Sequence, residues 1–92
     1  MSKRYLVVYD INEKRVSKVH KLLLRFLVWK QNSTFEGFLT NGSLKEMIRR
    51  IGKYVKKEDE DGVVIYSLPR DCKIKLEVLG KDKGNIFSNF IE

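Results

Sequence analysis

The chain has 92 residues, 42% of them hydrophobic and 34% charged, which is enough for one domain with a thin core and too apolar for a disordered segment. Lys and Arg number 19 against 12 Asp and Glu, for a net charge of +7; this favours an anionic partner, nucleic acid before an acidic protein or a membrane surface, over a charged face that serves only solubility. A single cysteine, Cys72, and a single histidine, His20, exclude an intrachain disulfide and a structural zinc site. No apolar run approaches the ~18 residues of a membrane span, and the run after Lys3-Arg4 is too short for a secretory signal, so a cytoplasmic protein is expected.

In chain order, residues 4–10 (Arg-Tyr-Leu-Val-Val-Tyr-Asp) read as a buried strand that stops at a carboxylate. Asn12 is a helix N-cap, with Ile11 and Val16 placed to form a hydrophobic staple. Val16, Val19, His20, Leu23, Phe26 and Leu27 recur at helical spacing as an inner face, which puts His20 at a core margin rather than in catalysis; Lys14, Lys18, Lys21 and Arg25 line another face, with Arg15 beside them. Residues 28–32 form a short strand, Asn32-Ser33 turns the chain back, and residues 34–39 form the next strand. Asn41-Gly42 signals a turn, and Ser43-Leu44-Lys45-Glu46 is a capping box that opens a second helix. Its buried stripe is Leu44, Met47, Ile48, Ile51 and Val55, and Lys45, Arg49, Lys53 and Lys56 form a basic outer line. Residues 56–62 are a charged loop, read as solvated because the spacing of its four acids matches no calcium loop. Residues 63–68 are a buried strand closed by Pro69, and residues 73–79 alternate as a half-exposed strand before an apolar tail.

The order βαββαβ with two helices is that of a split βαβ, ferredoxin-like α+β domain. The expected single domain spans 1–92, with a core over 4–68. The extra strand has no inner slot in a four-stranded sheet, so residues 73–79 are expected to pair with a second copy and make an obligate homodimer, the dimerising strand and tail together spanning 73–92.

Asp10 is the residue on which function turns. A carboxylate at the end of a central strand is costly to desolvate unless a metal, a hydrogen bond or a cation answers it; the alternative is that it starts a turn or caps the helix. Three segments resemble the CRISPR-associated protein 2 family: Tyr5-Leu6-Val7-Val8-Tyr9-Asp10-Ile11 with Lys14-Arg15-Val16 and Lys18-Val19; Trp29-Lys30-Gln31-Asn32-Ser33-Thr34-Phe35-Glu36-Gly37; and Asp61-Gly62-Val63-Val64-Ile65-Tyr66. They occur in order, over roughly residues 4–68, at the family's spacing; beyond Pro69 the likeness is one of position and alternation only.

The resemblance implies a ferredoxin-like homodimer whose last strand completes the partner's sheet. It also implies Mg²⁺-dependent cleavage of single-stranded RNA or double-stranded DNA. Asp10 would be the catalytic residue and metal ligand, facing its copy across the dimer axis. A partnership with the CRISPR integrase, of the CRISPR-associated protein 1 family, in spacer acquisition is implied as well. Asn12 and Glu13 stand where many relatives carry another carboxylate soon after the first, so a metal here depends on Asp10 from both copies. Thr34 replaces a residue that is often hydrophobic in relatives. Arg15 and Lys30 are the nearest matches to the family's arginines, and a lysine is not a bidentate phosphate clamp.

On this reading Arg15, Lys18 and Lys30 hold the nucleic-acid backbone. Ser33 either bonds a phosphate oxygen or only closes its turn. Tyr9 and Phe35 are core before they are base platforms, and Glu36 serves as a ligand, a base or half of a cross-strand ion pair. Three rivals remain: a non-catalytic DNA-binding scaffold of the adaptation complex, a toxin-type ribonuclease, and an RNA-recognition module of the same fold, which lacks its diagnostic aromatic run here.

Overall fold

A computed structural model describes residues 2–69 and residue 71. Strand β1 (Lys3–Asp10) is followed by helix α1 (Val16–Leu24), strands β2 (Val28–Gln31) and β3 (Thr34–Leu39), helix α2 (Asn41–Ile51), a 3₁₀ turn (Lys57–Asp59) and strand β4 (Gly62–Leu68). The sheet runs β2-β3-β1-β4 with every neighbouring pair antiparallel. Two helices with a four-stranded sheet in this order are the ferredoxin-like arrangement. The strand expected at 73–79 and the tail to residue 92 lie outside the described residues.

Alternation along β1 divides the sheet into two faces. Tyr5, Val7 and Tyr9 turn to the helices and are buried with Phe35 and Leu39 of β3. Against them pack Val19 and Leu23 of α1 and Met47 and Ile51 of α2. Phe35, at the centre, is 0% exposed. Leu27 reaches this core because Gly37 yields space: a Cβ there would stand 3.1 Å from Leu27 Cδ2.

Both helices begin elsewhere than the sequence signals suggest. Asn12 does cap a turn, its Oδ1 accepting from the Lys14 N–H at 2.9 Å and its carbonyl from the Arg15 and Val16 N–H groups. That turn is only the lead-in, and regular α-helix starts at Val16. Helix α2 starts before the Ser43 capping box, because Thr40 in extended backbone already supplies the cap, its Oγ1 accepting from the Ser43 N–H at 3.1 Å. Asn41 and Gly42 are therefore its first helical residues rather than a turn. Glu46 turns outward to Arg49 and Arg50 instead of back to Ser43. Ile48 leaves the buried stripe and is 47% exposed, since its neighbours Met47 and Ile51 occupy the side facing the sheet.

Candidate metal and nucleic-acid site

Asp10 ends β1, an inner strand with β3 on one side and β4 on the other. Its register partner on β4 is Gly62, and pairing with β3 stops two residues earlier, at Val8 opposite Thr34. The Tyr9 N–H then donates to the Ser33 carbonyl at 3.1 Å, so the Asn32-Ser33 turn flanks the end of β1. Asn32 sits in the left-handed region, φ 47°, which asparagine tolerates better than most residues, and its carbonyl accepts from the Trp29 indole N–H at 2.8 Å. Because Tyr9 points to the core, Asp10 belongs to the opposite face with Leu6 and Val8. It is exposed, and among the described residues its carboxylate has no hydrogen bond or ion pair.

The rest of that face is charged at one end and apolar elsewhere. Arg4 Nε donates to Glu36 Oε2 at 2.6 Å, both residues being buried, and Lys30 Nζ stands 3.8 Å from Glu36 Oε1. Of the readings open for Glu36, this is the cross-strand ion pair. Val28, Phe38, Val64 and Tyr66 are each about half exposed, and neither α-helix covers them. Lys30 and Glu36 thus share the face of Asp10.

Arg15 and Lys18 stand on the helix side. The Arg15 guanidinium is already engaged: Nε donates to the Tyr54 carbonyl at 2.9 Å, and Nη2 to Asp59 Oδ2 at 2.8 Å and Asp61 Oδ2 at 2.6 Å. This corrects the reading of 56–62 as a merely solvated loop, because two of its four acids hold Arg15. The Asp61 side chain is fully covered and also accepts from the Asn12 N–H at 2.8 Å and the Lys56 N–H at 2.9 Å. Burial on its own would raise the Asp61 carboxyl; the Arg15 guanidinium and these two N–H groups outweigh it and hold it below the usual carboxylate range. Asp61 thereby ties the chain just after Asp10 to the strand that pairs with Asp10. The signal in the sequence was Asp61-Gly62 at the head of the third family-like segment; its partner Arg15 was invisible without the fold.

The aromatic residues named from the sequence are structural. Phe35 is fully enclosed and offers no surface for a base. Tyr9 is buried, which raises its hydroxyl above its ordinary value, and its Oη lies 3.3 Å from His20 Nδ1. His20 sits edge-on to Trp29 and Phe35, at 4.9 and 5.1 Å between ring centres, at the core margin as its spacing predicts.

Does Asp10 suit a hard cation? It supplies one free oxygen ligand, and Mg²⁺ commonly takes one or two carboxylates and keeps several waters. Among the described residues no group of three His, Cys, Asp or Glu comes together to hold an ion. Asp10 therefore fits as one carboxylate of such a site, and the described residues bring no second one to it.

A small ferredoxin-like domain whose inner strand ends in an exposed aspartate, unpartnered among the described residues, is the class defined by this fold and site. The sequence pattern of the family described as "CRISPR associated protein Cas2" matches residues 2–75. The chain belongs to that family. It is 44% identical over 79 residues to a "CRISPR-associated endoribonuclease Cas2 2" of Archaeoglobus fulgidus, covering 86% of this chain and 85% of that protein. It is also 44% identical over 86 residues to a "CRISPR-associated endoribonuclease Cas2 3" of Thermodesulfovibrio yellowstonii, covering 89% and 97%. A solved structure titled "Crystal structure of cas2" superposes with a TM-score of 0.77 at 43% identity, over 90% of this chain and 92% of that one. Among the described residues no helix is long and apolar enough to cross a membrane.

Proposed function

We propose that this protein is a CRISPR-associated, Mg²⁺-dependent endonuclease that works as a cytoplasmic homodimer, cutting phosphodiester bonds of RNA or DNA and serving spacer acquisition beside the CRISPR integrase. The single observation that carries this reading is the exposed Asp10 carboxylate, which nothing within the described chain satisfies. The endoribonuclease names of its relatives support the reaction class. In the homodimer the half-exposed apolar faces of two sheets would meet, and Asp10 of each copy would hold the ion. The chemistry such an ion supplies is charge stabilisation on a phosphate oxygen and acidification of water. Lys30, on the same face, neutralises the backbone, and Ser33 offers a hydroxyl at the rim. Lys18, on the helix side, meets the nucleic acid away from Asp10. Arg15 has Nη1 left for a phosphate; its main work is to fasten the Asp59–Asp61 loop.

The test is cleavage of a single-stranded RNA and a DNA duplex with and without Mg²⁺, for wild type and Asp10→Ala. The variant is expected to lose at least about a hundredfold in rate while folding normally. Undiminished cleavage by the variant would remove Asp10 from the reaction.

A second reading has an observation of its own. Among the described residues no group of three metal-ligating side chains comes together, whereas the chain carries 19 Lys and Arg. A nucleic-acid scaffold of the adaptation complex needs phosphate contacts and no cleavage. It is the better reading if Asp10→Ala binds duplex DNA and assembles with the integrase as wild type does, and wild type shows no Mg²⁺-dependent cutting.

A further inference from the structure

Two basic lines that are separate in the sequence converge in the fold. Lys18, Lys21 and Arg25 of α1 and the turn after it face Arg49, Arg50 and Lys53 of α2 and its C-terminal turn, across a groove of about 600 Å³. Leu22 and Tyr54 complete its lining. The groove lies between the helices, on the side of the sheet away from Asp10. Glu46 is the carboxylate that answers these cations: it takes Arg49 through both Nε and Nη2, at 3.1 and 2.6 Å, and Arg50 through Nε at 2.7 Å. The two arginines hold its carboxyl down at about 2, so it stays charged at any working pH. Arg50 is further fixed with its Cζ 5.9 Å from the centre of the Phe26 ring. Among the described residues no carboxylate pairs with Lys18, Lys21, Arg25 or Lys53. Six cations less one carboxylate leave +5 of the chain's +7 on this one feature.

We propose that the α1–α2 groove is a second nucleic-acid surface, a track for a phosphodiester backbone that is engaged without metal and apart from the Asp10 edge. The inference rests on the nucleic-acid reading above and assigns it a place and new residues. Cations one helical turn apart, about 5–6 Å along each helix, present a line of charge rather than a point. A line of unpaired cations in a concave trough suits a rod-like polyanion and the release of its counterions. A lipid surface is flat and is met by helices with an apolar face turned outward, which α1 and α2 turn to the sheet instead. Glu46 acts here as a positioning residue, holding the two arginines splayed along one wall.

The experiment measures binding in EDTA, so that cleavage and its metal play no part. The full chain carrying Lys21→Ala, Arg25→Ala and Lys53→Ala is compared with wild type and with a control of equal charge loss outside the groove, Lys3→Ala, Lys45→Ala and Lys57→Ala. All six positions are exposed, and a thermal melt of each variant confirms that it folds. The probes are a 20-nucleotide RNA, a 20-bp DNA duplex and anionic phosphatidylserine vesicles, titrated over salt. The groove variant is expected to bind at least one nucleic acid about tenfold or more weakly at 0.1 M salt, with the salt slope reduced by about 2 to 3, while the control changes severalfold less. An equal loss in both variants, no loss in the groove variant, or groove-dependent binding of vesicles alone would overturn the proposal. Each of these leaves Asp10-dependent cleavage standing or falling by its own assay.

Discussion

The two faces of the sheet are built from alternate residues of the same strands and have opposite characters. Toward the helices, Tyr5, Val7, Tyr9, Phe35 and Leu39 close a core in which the Tyr9 ring meets Phe35 and the Tyr9 hydroxyl lies beside His20. On the other side, Arg4 and Glu36 neutralise one another, Val28, Phe38, Val64 and Tyr66 stand half exposed, and Asp10 binds nothing among the described residues. Among the described residues one face is finished by its own packing, and the other leaves apolar side chains and a carboxylate at the surface. Groups that cost stability or gain none where they stand are where function is to be sought.

The contrast predicts how substitutions sort, and the largest effect belongs to the helix-packed face. Phe35→Ala, which empties the centre of the core, is expected to cost about 3–5 kcal/mol in denaturant unfolding. A loss below about 1 kcal/mol would mean that this face is not the finished one. Next comes the charged end of the other face. Glu36→Ala removes the carboxylate that the buried Arg4 meets at 2.6 Å and is expected to cost about 3 kcal/mol, whereas replacing both residues by apolar ones of similar size restores much of it. If the double replacement is as unstable as the single one, Glu36 has work beyond answering Arg4.

Asp61→Asn probes the tie between Asp10 and the loop. The folded-state carboxyl lies below its unfolded value, so the ion supports the fold above the ordinary carboxylate range and this support fades as pH falls through the depressed value. Melting temperature against pH is therefore expected to fall less steeply on the acid side in the variant than in wild type, with the variant less stable at pH 7. Parallel curves would show that Asp61 is not held as an ion. The smallest effect on the protomer is expected from Tyr66→Lys on the open face, within about 0.5 kcal/mol for a half-exposed side chain. The same change is expected to weaken self-association in sedimentation velocity, which separates an apolar face meant for a second copy from one that is merely tolerated.

Most of the fold can be read from the sequence because hydrophobic period and turn chemistry agree: β1 through Asp10, β3 at 34–39 and β4 up to Pro69 all fall where alternation and breakers place them. The helix starts do not, since capping is a competition between adjacent candidates. Thr40 wins over Ser43 by three residues, and Asn12 caps a turn that becomes α-helix only at Val16. Asp10 was visible as a carboxylate closing an apolar run. The pairing of Arg15 with Asp59 and Asp61, 44 and 46 residues away, was not, because charge partners in loops follow from the fold and leave no periodic trace. For the same reason the basic residues of the two helices read as two separate lines until the fold set them across one groove.

The most direct measurement uses mixed dimers. Wild type is co-refolded with Asp10→Ala at a series of ratios, and Mg²⁺-dependent cleavage is recorded per total protein. If two Asp10 carboxylates share one ion across a twofold axis, activity falls as the square of the wild-type fraction, to about a quarter at an equal mixture. A linear fall to about half would mean that each copy acts with its own Asp10, and would contradict the paired site.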